Sequence, residues 1–184
     1  MEFTLILAGF GGQGILSAGK FVATAEMFEG REVSWMPSYG PEMRGGTANC
    51  SVVISDEAIG SPVINQADAI VALNGPSLDK FASYVKPGGL ILVDSTLVKS
   101  VPMRQDVRFI PVPASGIASD SGNMTFAAII LLGSLSAATG CFKRESFEKA
   151  LYDALPSRHH HLIPEEMAVF DQGAELARLT SCAT

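Results

Sequence analysis

The chain has 184 residues, 47% hydrophobic, 17% charged and 8% aromatic, and 13 basic against 19 acidic side chains leave a formal charge of −6. High apolar content with low charge density excludes a disordered chain, and without a basic cluster to displace counterions from phosphates the chain is not expected to bind nucleic acid. The longest apolar stretch, residues 124–139, is broken by Gly133, Ser134 and Ser136, which makes it short for a membrane span and better suited to a buried helix.

The length fits one domain over residues 1–184. Met1-Glu2-Phe3 leads straight into an apolar run without a basic n-region or a cleavage site, so the expectation is a cytoplasmic protein with no membrane association. Residues 3–8 (FTLILA) read as a buried first strand that stops at Gly9. Over residues 15–29 the period changes to that of a helix. Ala18, Phe21, Val22, Ala25 and Phe28 fall on one face, and Gly30 serves as the stop. Residues 33–36 and 47–55 read as the second and third strands. The ten residues between them are too few for the crossover that a parallel pair needs, so this pair is expected to be antiparallel and the sheet mixed.

Residues 69–73 follow as a strand. Pro76 opens the next helix, whose buried face is read as Leu78, Phe81, Ala82 and Val85. Pro87-Gly88-Gly89 reads as a turn, 90–93 as a strand ending at Asp94, and 108–112 as another. Small polar residues over 115–122 predict a loop, with Asn123 as a cap for the apolar helix behind it. Phe147, Ala150, Leu151, Ala154 and Leu155 mark an amphipathic helix stopped by Pro156. The last helix starts at Pro164, with Glu165 and Glu166 at the positive end of its dipole. Alternation of strands and helices predicts an α/β class: a three-layer, Rossmann-like domain with a mainly parallel, partly mixed sheet.

Chemistry is sparse. Cys50, Cys141 and Cys182 are scattered, odd in number and without a CxxC pair, which argues against a zinc knuckle, a disulfide framework or a self-held iron–sulfur cluster. His159-His160-His161 cannot converge on one ion and lacks a supporting ligand at metal spacing, so no metal site is assigned. No GxSxG elbow occurs. The first strand does run into Gly9-Phe10-Gly11-Gly12-Gln13-Gly14, a GxGxxG between strand and helix. Its glycines allow a tight turn and bring backbone N–H groups toward a phosphate. The acid that holds a ribose at the end of the second strand is missing, because Trp35-Met36-Pro37 stand there. The glycines also serve simply to let the first helix pack close to the sheet. The overlapping GxxxxGK ending at Lys20 has Phe21 where Ser or Thr is needed and lies inside the helix, which leaves Lys20 as an exposed helical residue.

The segment 37–46 (PSYGPEMRGG) has three glycines and two prolines, a loop of fixed shape carrying Ser38, Tyr39, Glu42 and Arg44. If it follows strand two as the glycine loop follows strand one, both leave the carboxyl edge of the sheet, where open α/β sheets bind ligands. A rigid turn with a solvated Glu42–Arg44 pair is the alternative.

GFGGQGI at residues 9–15, taken with PSYGPEMRGGTANC at 37–50, resembles the gamma subunit of 2-oxoacid:ferredoxin (acceptor) oxidoreductases. The wording of the second motif is most like the 2-oxoglutarate branch, and the likeness runs over nearly the whole chain. The resemblance implies a subunit inactive on its own. Thiamine diphosphate and Mg2+ would sit on alpha and beta subunits, and iron–sulfur clusters on a ferredoxin-like subunit. Coenzyme A would take the acyl group, and ferredoxin or a similar acceptor the electrons; no cofactor is assigned to this chain alone. The expected interface or substrate/CoA loop is Ser38, Tyr39, Gly40, Glu42, Met43, Arg44 and Gly45, beside the glycine loop of Gly9, Gly11, Gly12, Gln13 and Gly14. A stand-alone dinucleotide-binding oxidoreductase and a nucleotide-sensing module stay open as alternatives built on the GxGxxG.

Overall fold

The computed structural model describes residues 1–38, 47–100 and 104–181. In chain order the elements are β1 (Glu2–Phe10), α1 (Ile15–Phe28), β2 (Glu32–Ser38), β3 (Thr47–Ser55), β4 (Ala67–Ala72), α2 (Gly75–Phe81), β5 (Val85–Asp94), β6 (Arg108–Val112), α3 (Ala114–Asp120), α4 (Phe126–Thr139), α5 (Arg144–Ala154) and α6 (Ile163–Ser181). Short 3-10 turns span Ala82–Tyr84 and Ser157–Leu162. The described strands form one sheet in the order β2-β3-β1-β4-β5-β6. β1 runs antiparallel to β3 from Glu2 opposite Ser55 to Phe10 opposite Thr47, and β2 is antiparallel to β3. The pairings of β1 with β4, β4 with β5 and β5 with β6 are parallel. The sheet is therefore mainly parallel and partly mixed, as the short connection after β2 requires.

Alternation along the strands divides the core in two. Leu5, Leu7, Cys50, Val52, Ile54, Val71 and Leu92 face α1 and α4, whereas Ile6, Ala8, Val53, Ile70, Ile91 and Val93 face α2. Helices thus cover both faces, and the layers number three. α4 has no polar stripe. Every residue of 126–135 is buried, the position expected of a helix that is apolar all round.

α6 crosses α4 at backbone contact. A Cβ on Gly133 would collide with the Phe170 carbonyl, and one on Gly173 with the Ile130 carbonyl. Ser134 Oγ donates to the Gly173 carbonyl at 2.7 Å. Beside this crossing the Phe147 and Phe170 rings stack with centroids 4.5 Å apart, and Phe21 meets Phe147 edge-on. One aromatic cluster therefore ties α1, α5 and α6 together.

Several sequence expectations are corrected. Phe28 is 49% exposed, because the buried face of α1 centres nearer Val22 and Glu26 and takes in Ala23 as well. Val85 opens β5 rather than extending α2, whose chain tightens into the 3-10 turn instead. Pro87-Gly88-Gly89 is a kink inside β5, marked by Gly88 at φ 79 and by a register shift against β4. Pro76 stands one residue into α2, after Gly75, and Asn74 is the cap. The loop expected over 115–122 is largely α3. Its composition favours a loop, but the buried Asp94 carboxylate accepts hydrogen bonds from Ser115 N at 3.1 Å and from Ser115 Oγ. That satisfies a donor of the first helical turn and holds the turn in place. Leu155 lies just beyond α5, half-buried.

At the opposite, amino end of the sheet, Glu26 is completely buried, and neither carboxylate oxygen has a hydrogen-bond partner among the described residues. Arg31 Nε lies 3.3 Å from it. Burial pushes its carboxyl up to about 7 against the opposing pull of Arg31. An acid whose folded value exceeds its unfolded value of 4.5 destabilises the fold as pH rises from the lower value through the upper.

Two outcomes are expected in urea titrations. Gly133→Ala or Gly173→Ala lowers stability by about 3 kcal/mol or more by overpacking, whereas Gly60→Ala, with open space around it, changes it by no more than about 0.5 kcal/mol. Stability of the parent chain falls by roughly 3 kcal/mol between pH 4.5 and pH 7.5 on account of Glu26, and Glu26→Gln removes that slope. A slope identical in the two proteins would refute the assignment.

Candidate functional site

Because β3 reverses direction between β2 and β1, the carboxyl ends of β1 and β2 lie at one edge of the sheet. Phe10 stands opposite Thr47, and Ser38 opposite Asn49. The glycine loop and both ends of the 39–46 segment therefore emerge together, as the sequence leads one to expect. Ser38 is exposed at the last position of β2. Tyr39, Gly40, Glu42, Met43, Arg44 and Gly45 lie outside the described residues.

The glycine loop is closed by its own side chain. Phe10 N donates to Gln13 Oε1 at 2.6 Å, and Gln13 N donates back to the Phe10 carbonyl at 3.2 Å. A longer contact of 3.5 Å brings Asn74 Nδ2 to the same oxygen. The space Gln13 occupies exists because residue 9 has no side chain, since a Cβ there would come within 2.7 Å of Gln13 Oε1 and 2.9 Å of Ile15 Cγ1. Gly12 and Gly14 have φ of 93 and 76, the left-handed region that disfavours any side chain. Gly11 is exposed at the tip.

Gly14 is the N-cap of α1 and supplies no side-chain cap, and the first turn contains no acidic residue. The first N–H groups of the helix are thus left for whatever approaches from outside. Beside them lies a cavity of about 280 Å3 bordered by Phe10, Gly11, Gly12, Leu16, Ser17 and Ala48. Lys20 is exposed on α1, so the GxxxxGK overlap forms no phosphate cradle.

Sequence reasoning missed two anchors at this edge. Asn74 Oδ1 accepts from Ser77 N at 2.8 Å and starts α2; the signal was an Asn three residues ahead of a Ser, just after a strand. Asp94 was read only as a strand end. Its Oδ1 accepts from Thr96 N at 3.0 Å while Oδ2 holds Ser115, and Thr96 Oγ1 accepts from Gly116 N at 3.0 Å. These bonds turn the carboxylate inward, so it shapes the edge and is spent on the fold.

The remaining candidates stay apart. Cys50 and Cys141 are buried, and burial pushes both thiols up to about 12, far from a reactive thiolate. Cys182 lies outside the described residues. The three histidines occupy the 3-10 turn Ser157–Leu162, where His160 Nε2 lies 2.9 Å from the Leu155 carbonyl and its ring meets Tyr152 edge-on. Among the described residues no group of three or more His, Cys, Asp or Glu converges as a metal site, and no helix is long and apolar enough to cross a membrane. The arrangement offers shape and backbone donors at a sheet edge, with no set of acid, base and nucleophile gathered among the described residues.

Comparison with known proteins gives this edge a context. Residues 4–176 match the family described as pyruvate ferredoxin/flavodoxin oxidoreductase. The ketoisovalerate oxidoreductase subunit VorA of Methanothermobacter thermautotrophicus is 44% identical over 179 residues, which are 96% of this chain and 37% of that protein. The chain thus spans little more than a third of the length of the first curated relatives it matches. The 2-oxoglutarate synthase subunit KorC of Methanocaldococcus jannaschii is 37% identical over 181 residues, covering 97% of this chain and 95% of that one. In structure, the gamma subunit of a keto/oxoacid ferredoxin oxidoreductase from Geobacter sulfurreducens superposes with a TM-score of 0.81 at 32% identity, over 96% of this chain and 99% of that chain.

The loop closure is open to a direct test. Gln13→Ala leaves Phe10 N without its acceptor and is expected to cost about 1 kcal/mol in urea unfolding, with increased hydrogen exchange confined to residues 10–17. Unchanged exchange there would show that the glycines alone hold the turn.

Proposed function

The chain belongs to the pyruvate ferredoxin/flavodoxin oxidoreductase family, and from that premise we propose that it is the gamma-type subunit of a thiamine-dependent 2-oxoacid oxidoreductase. The complex converts a 2-oxoacid, coenzyme A and two oxidised one-electron carriers into acyl-CoA, carbon dioxide, a proton and two reduced carriers. Ferredoxin or a similar protein is the acceptor. We take 2-oxoglutarate as the substrate, a reading supported by the motif at 37–50 and by likeness to KorC along almost its full length. The higher identity to VorA supports a second reading, a branched-chain 2-oxoacid.

Thiamine diphosphate supplies the electron sink for loss of carbon dioxide when bound. Among the described residues no group of three or more His, Cys, Asp or Glu converges to hold Mg2+ or an iron–sulfur cluster, and burial pushes the two described thiols up to about 12. Following the family resemblance, the proposal puts thiamine diphosphate, Mg2+ and the clusters on alpha, beta and ferredoxin-like partner chains in the cytoplasm, with the isolated chain inactive.

What this chain contributes is the carboxyl edge. The observation that carries the reading is the juxtaposition of the glycine loop with both ends of the 39–46 segment, beside a helix N-terminus that its own cap leaves open. Close backbone approach at Gly11, Gly12 and Gly14 lets a partner or coenzyme A pack against α1. Arg44 grips an anionic carboxylate or phosphate with two parallel hydrogen bonds. Tyr39 and Glu42 orient it, and Ser38, Gly40, Met43 and Gly45 complete the loop surface at the substrate/CoA entrance.

Anaerobic purification of the tagged chain from its native cells is expected to give a brown complex with thiamine-binding and cluster-binding chains. A colourless single chain that binds NAD would overturn the subunit reading. In the reconstituted complex, Arg44→Ala is expected to raise KM for the oxoacid or coenzyme A at least about tenfold, the worth of one lost charge-assisted pair. Unchanged KM for both, with unchanged turnover, would remove Arg44 from the site.

A further inference from the structure

A second cavity, of about 220 Å3, lies between α1, α4 and the first turn of α6. Its walls are apolar: Ala18 and Phe21 from α1, Ala128 and Ile129 from α4, and Leu155. Ser17 and Thr125 stand at its exposed rim. The one ionisable group on its wall is Glu166. Glu166 Oε2 is buried and has no hydrogen-bond partner among the described residues. Burial, and secondarily Glu165 next to it, push the carboxyl up from its usual range. No basic side chain acts on it in opposition, in contrast to Glu26 with its Arg31.

Glu166 lines the cavity with one carboxyl oxygen buried and unpartnered among the described residues, and a carboxylate in such surroundings is stabilised by a donor or a cation. The volume is about seven times a water molecule's share of the liquid, enough for a short chain of carbon atoms with a polar head. The walls favour an apolar stem, the carboxylate favours a positive head, and the Phe21 ring adds an aromatic face to which a cation is attracted. We propose that this cavity is a binding socket for an ammonium or guanidinium group on a short apolar stem, with Glu166 as its counter-ion and Phe21 as its aromatic wall. The head is carried either by a free amine or by a basic side chain of another protein. The inference does not rest on the oxidoreductase reading.

The test uses the full chain at pH 8 and three probes of one shape: n-butylammonium, n-butanol and butyrate. Methyl resonances of Ala18, Ile129 and Leu155 report occupancy. Butylammonium is expected to bind at least about tenfold tighter than butanol, and butyrate not at all, as one desolvated charge pair requires. Glu166→Gln abolishes that preference, while Glu165→Gln, altering an exposed neighbour, keeps it. Should Glu166→Gln fail to fold, Phe21→Leu provides the second reading, because it preserves an apolar wall and weakens butylammonium severalfold more than butanol. A blocked pentapeptide with a central lysine separates the sources. Tighter binding than butylammonium points to a protein side chain, and weaker binding to a free amine. Equal binding of all three probes, binding of none, or a preference that survives Glu166→Gln overturns the proposal.

Discussion

Strand β1 is hydrogen-bonded on both sides, antiparallel to β3 and parallel to β4, and the rest of the molecule is arranged around that double pairing. The parallel side requires helical crossovers, and these supply the layers that bury the sheet. The antiparallel side brings β3 back beside β1 after a connection too short for any crossover. The two conditions together send the ends of β1 and β2 to one edge, so the glycine loop and the described residues flanking 39–46, Ser38 and Thr47, share a neighbourhood as a consequence of chain direction. The functional reading depends on this geometric constraint more than on any single side chain.

Much of this was legible in the residues because the signals were local. The bounds of β3 and β6 follow from apolar runs closed by polar residues. The antiparallel pair follows from counting the connection, and the glycine loop from its place between a strand and a helix. What escaped depends on contacts between residues far apart in sequence. Ala114–Asp120 has the composition of a loop and becomes helical because a carboxylate about twenty residues earlier holds Ser115. Glu26 occupies a core position that a hydrophobic pattern assigns to Ala or Val. Nothing in a single sequence says that Gly133 and Gly173, forty residues apart, face each other's backbones. At the site, the motif was visible but its closure by Gln13 was not, because that closure is a side-chain contact within a turn.

Acidic side chains occupy three different regimes in this protein. Asp94 is buried and fully engaged by backbone and hydroxyl donors, and it organises the edge. Glu26 is buried with Arg31 beside it, and its carboxylate makes no hydrogen bond among the described residues, which ties stability to proton concentration near neutrality. Glu166 lines a cavity, with one oxygen buried and unpartnered among the described residues and no opposing cation. The same charge is thus a strut, a titrating weakness or an unfilled valence, according to how many donors surround it.

The inward fold of Gln13 has a thermodynamic corollary. A carboxamide that already satisfies Phe10 N fixes the turn before anything approaches it. Docking against this loop therefore requires little loss of backbone freedom, and the free energy of contact is retained as affinity rather than consumed in ordering. A loop so preorganised associates by rigid-body collision, and orientation of the two faces limits the rate. Across a family in which this module occurs both as a separate chain and as part of a longer one, a face that keeps its shape without its neighbour suits either arrangement.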